Sequence, residues 1–163
     1  MINITFLNKL KDEGSLIIIE PSEEISISYS LKSDNCIKVA ELAFDAGIYE
    51  NSISEAYYSI YNSVMSLFYK CGIKCENHSA AVILVKELFN LKELYDIFSE
   101  FKKDRIDNQY YTPEIKKLEM TKDICNIKLK NAKDFNFHLR VYIRDLGLEE
   151  INRIRNKFNS LFQ

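Results

Sequence analysis

The residues of this chain with the clearest chemical potential lie in two short stretches. One reads Arg-Ile-Asp-Asn-Gln-Tyr-Tyr at 105–111, and the other reads Ala-Tyr-Tyr-Ser-Ile-Tyr at 56–61. The first stretch precedes Thr-Pro-Glu at 112–114, a typical helix start, so we expect a guanidinium, a carboxylate and phenols at a helix entrance. Helix-start N–H groups and the arginine fork both favour anions. The pattern indicates either a phosphate-binding site or an Arg–Asp pair that only fixes a loop.

Length and composition indicate one globular domain. The chain has 163 residues, of which 47% are hydrophobic and 28% charged, and its formal net charge is −2. A chain of this size buries roughly two thirds of its unfolded surface around one core. The small net charge gives no overall attraction to nucleic acid, so RNA would require a local basic patch. The cysteines lie in helical patterns, and we find no signal peptide or long apolar span, which predicts a cytoplasmic protein without membrane contact.

Several common kinds of site are not expected. With four glycines in the chain, a glycine-rich dinucleotide-binding loop is excluded in practice, and no nucleophile elbow or His-Glu-x-x-His motif occurs. Cys71 and Cys75 lie close to His78, but a tetrahedral zinc ion needs a further ligand. Thiols that fill helix faces are the alternative interpretation. We therefore predict no metal and no cofactor.

Hydrophobic periodicity predicts an all-α fold, an up-down helical bundle of about four to five helices. The bundle is expected over residues 22–146, preceded by an N-terminal extended arm at 1–21 and followed by a C-terminal helix at 147–163 that packs on the bundle. The apolar run at 16–19 has strand-like composition but no predicted partner strand, which is why an arm is expected.

Capping residues predict where the bundle helices begin and end. Ser22 is expected to begin the first helix and Gly47 to end it, while Gly72 ends the tyrosine-rich helix. Thr112 is expected to begin a long helix that continues to Gly147. The segment before Thr112, which carries Arg105, is expected to be broken or kinked.

Three motifs in this order resemble one known family. They are Ala-Tyr-Tyr-x-x-Tyr at 56–61, Gly-Ile-Lys leading to Asn-His-Ser at 77–79, and Arg-x-Asp-x-x-Tyr-Tyr at 105–111 before a long helix. Over roughly residues 23–137 the chain resembles the HEPN domain, in its uncharacterised prokaryotic branch. The resemblance implies a small helical bundle that forms a homodimer, with the motif arginines of both subunits facing a shared cleft.

The resemblance also implies possible activities and partners. Many HEPN proteins are metal-independent ribonucleases whose motif is Arg, four to six residues, then His. Many prokaryotic members are toxins paired with a minimal nucleotidyltransferase, and in one group a tyrosine near the motif His receives AMP. In this chain the positions of the motif His hold Tyr110, Tyr111 and Thr112. A phenol with an ordinary pKa of about 10 replaces an imidazole poorly in proton transfer, which weakens the ribonuclease interpretation.

The candidate site residues follow from these motifs. Arg105 is the main candidate for catalysis or phosphate binding, and His78 is the candidate replacement for the missing imidazole. The other candidate binding residues are Asp107, Tyr110, Tyr111, Tyr58, Tyr61 and Asn77. For each there is a structural alternative: the tyrosines as core groups with satisfied hydroxyls, and His78 with Asn77 as stabilisers of a turn.

The sequence therefore predicts a HEPN module that binds a nucleotide or RNA in a toxin–antitoxin-like system, partnered with a minimal nucleotidyltransferase. One alternative is a metal-independent ribonuclease toxin that uses Arg105. The other is a purely structural interaction protein.

Overall fold

The computed structural model describes residues 4–109 and 120–162, with the backbone alone at 107–109. Within these ranges the chain forms seven α-helices and a single two-stranded sheet, which confirms the all-α prediction. In chain order the elements are α1 (Ile4–Asp12), β1 (Leu16–Ile18), α2 (Glu23–Asp45), α3 (Tyr49–Lys70), β2 (Ile73–Cys75), α4 (His78–Glu87), α5 (Lys92–Gln109), α6 (Lys122–Asp145) and α7 (Leu148–Ser160). None of the helices in the described part is long and apolar enough to cross a membrane.

The helical hairpin of α2 and α3 is the framework of the bundle. Ser22 caps α2 by accepting a hydrogen bond from the backbone N–H of Ile25, and Gly47 follows the helix with a φ of +75°, which a glycine adopts without strain. Helix α3 is buried along most of its length and lies between α2, α5 and α6. The structure confirms the predicted helix boundaries at Ser22, Gly47 and Gly72. These boundaries were predictable because each depends on a local cap.

A buried polar network joins α2, α3 and α6. The Ser33 hydroxyl lies 3.1 Å from that of Ser59 and 2.9 Å from that of Ser63. Asn136 of α6 completes the network, since its Oδ1 accepts from the Ser63 hydroxyl at 2.7 Å and its Nδ2 donates to the Ser59 oxygen at 2.6 Å. Buried polar groups are favourable only when they are paired, so this network fixes the relative positions of the helices.

Asn136→Ala is expected to lower the free energy of unfolding by about 2–3 kcal/mol, because it leaves two buried serine hydroxyls without these partners. Asn126→Ala on the same helix is the matched control, since Asn126 is exposed and should change stability by less than about 0.5 kcal/mol. Urea denaturation of both variants measures the difference. Equal losses would show that the network contributes nothing specific to the bundle.

The N-terminal segment is part of the core, and one expectation about it was wrong. Strand β1 has a partner, because it pairs antiparallel with β2, with Leu16 opposite Cys75. Leu7, Leu10 and Leu16 are all buried. The sequence did not predict β2 because Ile73–Cys75 contains only three residues between two helices, too few to show a strand periodicity.

Helices α5 and α6 also differ from the expectation. Helix α5 is continuous to Gln109, so Arg105 lies within a helix and not at a helix entrance. Helix α6 begins at Lys122, where the Thr121 side chain caps the N–H of Ile124 at 3.3 Å. The predicted start at Thr112 lies outside the described residues, but a single helix from there to Gly147 is wrong because position 121 is a non-helical cap.

Candidate functional site

Residues from three helices meet where the start of α4 lies against α3 and α5. We call this group the Arg105 cluster, and it consists of Tyr57, Tyr58 and Tyr61 of α3, His78 and Ser79 of α4, and Lys102 and Arg105 of α5. Tyr57 is completely buried, and the other members are half-buried. The cluster therefore connects the core to the surface of the bundle.

Tyr57 and Tyr61 hold the imidazole of His78. The Tyr57 hydroxyl oxygen lies 2.5 Å from His78 Nδ1, and the ring of Tyr61 stacks on the imidazole with centroids 4.0 Å apart and an interplanar angle of 16°. Burial lowers the pKa of His78 below its usual value, and the positive charges of Arg105 and Lys102 lower it further. His78 is therefore mostly neutral near pH 7.

The phenols are poor bases at this position. Burial raises the pKa of Tyr57 above its usual value, although the nearby charge of Arg105 opposes the change. Burial likewise raises the pKa of Tyr61. Both hydroxyls keep their protons at physiological pH, so they are hydrogen-bonding groups and not proton acceptors of useful strength.

Arg105 packs its guanidinium on aromatic rings. Its Cζ lies 5.3 Å from the ring centroid of Tyr57 and 5.1 Å from that of Tyr58, distances at which a cation is attracted to an aromatic ring. The Nε of Arg105 is buried and has no hydrogen-bond partner among the described residues. Stacking fixes the plane of the guanidinium and leaves donors for another acceptor.

Lys102 adds a second cation one helical turn before Arg105. Its Nζ donates to the Ser79 hydroxyl at 2.7 Å, which brings α5 against the first turn of α4. Burial lowers the pKa of Lys102, and the charge of Arg105 lowers it further. In the part of the chain that the structure describes, no carboxylate forms an ion pair with Lys102 or Arg105. The cluster therefore brings two cations and an imidazole close together, an arrangement that a bound anion would stabilise.

The structure brings four of the predicted site residues together and places a fifth, Asn77, at the cap of α4. Arg105, His78, Tyr58 and Tyr61 all belong to the cluster. Asn77 caps α4, since its Oδ1 accepts from the N–H groups of Ser79 and Ala80 at 2.9 and 3.0 Å. This cap matches the structural alternative given for Asn77. The side-chain oxygen of Asn77 is thus already engaged by these two backbone N–H groups.

The side chains of the remaining predicted residues lie outside the described part of the structure. Asp107 lies in α5, but its side chain is not described, and neither are Tyr110 and Tyr111. Their roles stay predictions.

Sequence reasoning missed three members of the cluster. Tyr57, Lys102 and Ser79 were not among the predicted site residues, although Tyr57 belongs to the tyrosine motif at 56–61. A usable signal for Lys102 was its spacing of three residues from Arg105, which places both side chains on one face of a helix. No local signal connects Ser79 to α5, because that contact depends on how the two helices pack.

Comparison with known proteins agrees with this architecture. A family model described as the HEPN domain matches residues 29–136, more than half of the chain, and the whole Arg105 cluster lies inside the matched segment. The chain belongs to the HEPN domain family. Comparison of the chain with curated proteins finds no match. Family membership supports a nucleotide- or RNA-related module in general, and HEPN domains often form dimers.

Proposed function

We propose that this protein is a HEPN binding module whose Arg105 cluster holds a phosphate group of a nucleotide or RNA. The observation that carries the proposal is the convergence of Arg105, Lys102 and His78 beside the Ser79 hydroxyl, without a described carboxylate to balance them. A guanidinium fork and an ammonium group are the side chains that proteins most often use to bind phosphate.

The electrostatics of the cluster favour this function over a structural role. Burial lowers the pKa values of Lys102 and His78, and repulsion from the neighbouring positive charges lowers them further, so the charged form of each group is disfavoured at this position. A bound phosphate would reverse the effect, because a nearby negative charge stabilises every protonated group around it.

A second candidate function is metal-independent cleavage of RNA. His78 supplies, from α4, an imidazole in the same cluster as Arg105, even though the motif position near Arg105 holds tyrosines. Imidazole is the side chain most used for proton transfer near neutral pH. We favour binding because Nδ1 of His78 is engaged in a hydrogen bond with the Tyr57 hydroxyl. The phenols of Tyr57 and Tyr61 keep their protons as well, so none of these groups is a ready proton acceptor.

The proposal is tested first on the wild-type chain, with inorganic phosphate as the probe and chloride at matched ionic strength as the reference. At ten times its dissociation constant, phosphate should stabilise the fold by about 1.4 kcal/mol and raise the Tm by about 3–5 °C. The absence of any difference from chloride would support the structural alternative instead.

The ribonuclease alternative is tested with an RNA substrate in the presence of EDTA. We expect no cleavage and no growth arrest on expression. Cleavage that persists in EDTA and disappears in His78→Ala would establish the second candidate and contradict a module that only binds.

The proposed partner is a minimal nucleotidyltransferase within a toxin–antitoxin-like system, and it rests on the resemblance of the three motifs. The neighbouring reading frame is expected to encode such an enzyme, and its product is expected to co-purify with this chain. A homodimer that places two Arg105 clusters at one cleft belongs to the same proposal. Light scattering of the purified chain tests it, and a monomer at all concentrations would contradict it.

A further inference from the structure

We propose that Tyr57 is a positioning residue of the Arg105 cluster, whose hydroxyl holds His78 in the tautomer that carries its proton on Nε2. In that tautomer the imidazole offers a neutral N–H donor to a bound phosphate oxygen. This inference deepens the proposed function and rests on it for the identity of the ligand. The position of the proton on His78 is a separate claim that needs no ligand.

The first step of the argument concerns the direction of the bond between Tyr57 and His78. The Tyr57 side chain is completely buried, and its only hydrogen bond among the described residues is the 2.5 Å contact with His78 Nδ1. A buried hydroxyl that donated nowhere would leave its proton unsatisfied. The phenol therefore donates and Nδ1 accepts. A neutral imidazole that accepts at Nδ1 must carry its proton on Nε2.

The second step concerns the charge state of both groups. Burial keeps the phenol protonated, because it raises the pKa of Tyr57. Burial and the charges of Arg105 and Lys102 lower the pKa of His78, which disfavours the form protonated on both nitrogens. The reverse transfer, with a phenolate and an imidazolium, would create two charges in a buried position, and burial disfavours the charged form of each group.

The third step concerns what Nε2 can contact. The two ring nitrogens lie on different sides of the imidazole, so a ring whose Nδ1 contacts buried Tyr57 turns Nε2 away from that residue. His78 is half-buried, and no hydrogen bond joins its Nε2 to any described residue. Tyr61 stacks on the ring and restricts its rotation. The donor is thus held in place before a ligand arrives, which reduces the entropy lost on binding.

The tautomer has a chemical consequence for the choice between the two candidate functions. An Nε2 that already carries a proton has no free lone pair with which to accept another, and the lone pair of Nδ1 is engaged by the Tyr57 hydroxyl, so His78 does not serve as a general base in this state. It can donate a hydrogen bond to a phosphate oxygen. Tyr57 therefore favours binding over proton abstraction by His78.

The first test measures the tautomer in the free wild-type chain. Nitrogen-15 NMR of labelled histidine distinguishes Nδ1–H from Nε2–H, and the exposed His138 is assigned by its loss in His138→Gln. We expect His78 to show the Nε2–H pattern above its pKa, and Tyr57→Phe to change it to a mixture of both tautomers. An Nδ1–H pattern in the wild-type chain would overturn the inference, and this measurement does not require the variant to fold.

The second test measures the effect on binding, with inorganic phosphate as the probe at pH 7.5. Tyr57→Phe should weaken phosphate binding by about threefold to tenfold, the range expected when one hydrogen bond is misplaced. Tyr95→Phe is the matched control, because it removes the hydroxyl of a half-buried tyrosine of α5 that lies outside the Arg105 cluster, and it should leave the affinity unchanged. Equal affinity in the wild type and Tyr57→Phe would overturn the positioning role.

The two proposals fail in distinguishable ways. If wild-type His78 has the Nε2–H tautomer but the chain binds no phosphate, the proposed function is wrong and the assignment of the proton is supported. If phosphate binds and depends on Arg105 but His78 has the Nδ1–H tautomer, the proposed function is supported and the role of Tyr57 is overturned.

Discussion

Arg105→Ala is expected to weaken the binding of inorganic phosphate at least tenfold relative to the wild-type chain. A hydrogen bond to a charged group contributes about 1.5–3 kcal/mol, and each 1.4 kcal/mol corresponds to about a factor of ten in the dissociation constant. Arg105→Lys keeps the charge but loses the planar fork that stacks on Tyr57 and Tyr58, so it should fall between the wild type and Arg105→Ala. Isothermal titration at constant ionic strength provides the three dissociation constants.

Lys103→Ala is the control for this prediction. Lys103 is exposed on the same helix, and its loss changes the net charge of the chain by the same amount. A general electrostatic attraction would make both alanine variants lose affinity equally, and that result would contradict a site at Arg105. Urea denaturation of Arg105→Ala is needed alongside, because loss of the cation–aromatic contacts should also reduce stability, by about 0.5–2 kcal/mol.

Gly72→Ala is expected to lower the free energy of unfolding by about 3–4 kcal/mol, because two separate penalties add at this position. Gly72 has a φ of +70°, a conformation that is strained for alanine. An added Cβ would also lie 2.5 Å from the carbonyl oxygen of Ile19 and 2.8 Å from the nitrogen of Pro21, and it would collide with the guanidinium of Arg155. Backbone atoms on both sides leave little room for relaxation.

The surroundings of Gly72 explain why no small movement relieves these contacts. Nη1 of Arg155 donates to the carbonyl oxygens of Ile19, Cys71 and Gly72 at 2.7, 3.1 and 3.1 Å. The N–H of Ile19 also donates to the carbonyl of Gly72 at 2.9 Å. One arginine of α7 thus ties the N-terminal strand to the end of α3, where a positive charge also suits the helix dipole. Moving Gly72 would break several of these bonds at once.

Gly47→Ala separates the two penalties. Gly47 has nearly the same φ, +75°, but an added Cβ there would meet no atom within 4 Å. It should therefore lose only the conformational term, about 1 kcal/mol. Urea denaturation of the two variants measures the difference directly. If both lost the same free energy, the close contacts around Gly72 would have no energetic importance.

Local features of the fold were predictable from the sequence. The ends of α2 and α3 follow from Ser22, Gly47 and Gly72, because capping hydroxyls and left-handed glycines act within a few residues of where they stand. The apolar faces of the helices follow from their periodicity in the same way. Those features were enough to predict an all-α bundle and, with the tyrosine and arginine motifs, the HEPN family.

Features that depend on distant partners were not predictable. Strand β2 exists because Leu16–Ile18 pairs with it across more than fifty residues of chain, and its own sequence is too short to predict a strand. The sequence likewise predicted a break or kink in the segment that carries Arg105, and the structure has none there. The apolar residues Phe98 and Phe101 of α5 are buried in the core, and this packing accompanies a continuous helix as far as Gln109.

The candidate site shows the same division. The residue types were determined by the sequence alone: the guanidinium of Arg105, the phenols of the tyrosine motif and the imidazole of His78. Only the tertiary structure decided that His78 would meet Tyr57 and that Lys102 would reach Ser79. Chemical identity is a property of each residue, whereas the position of a proton or the balance of charge in a cluster depends on which helices pack together and how much water they exclude.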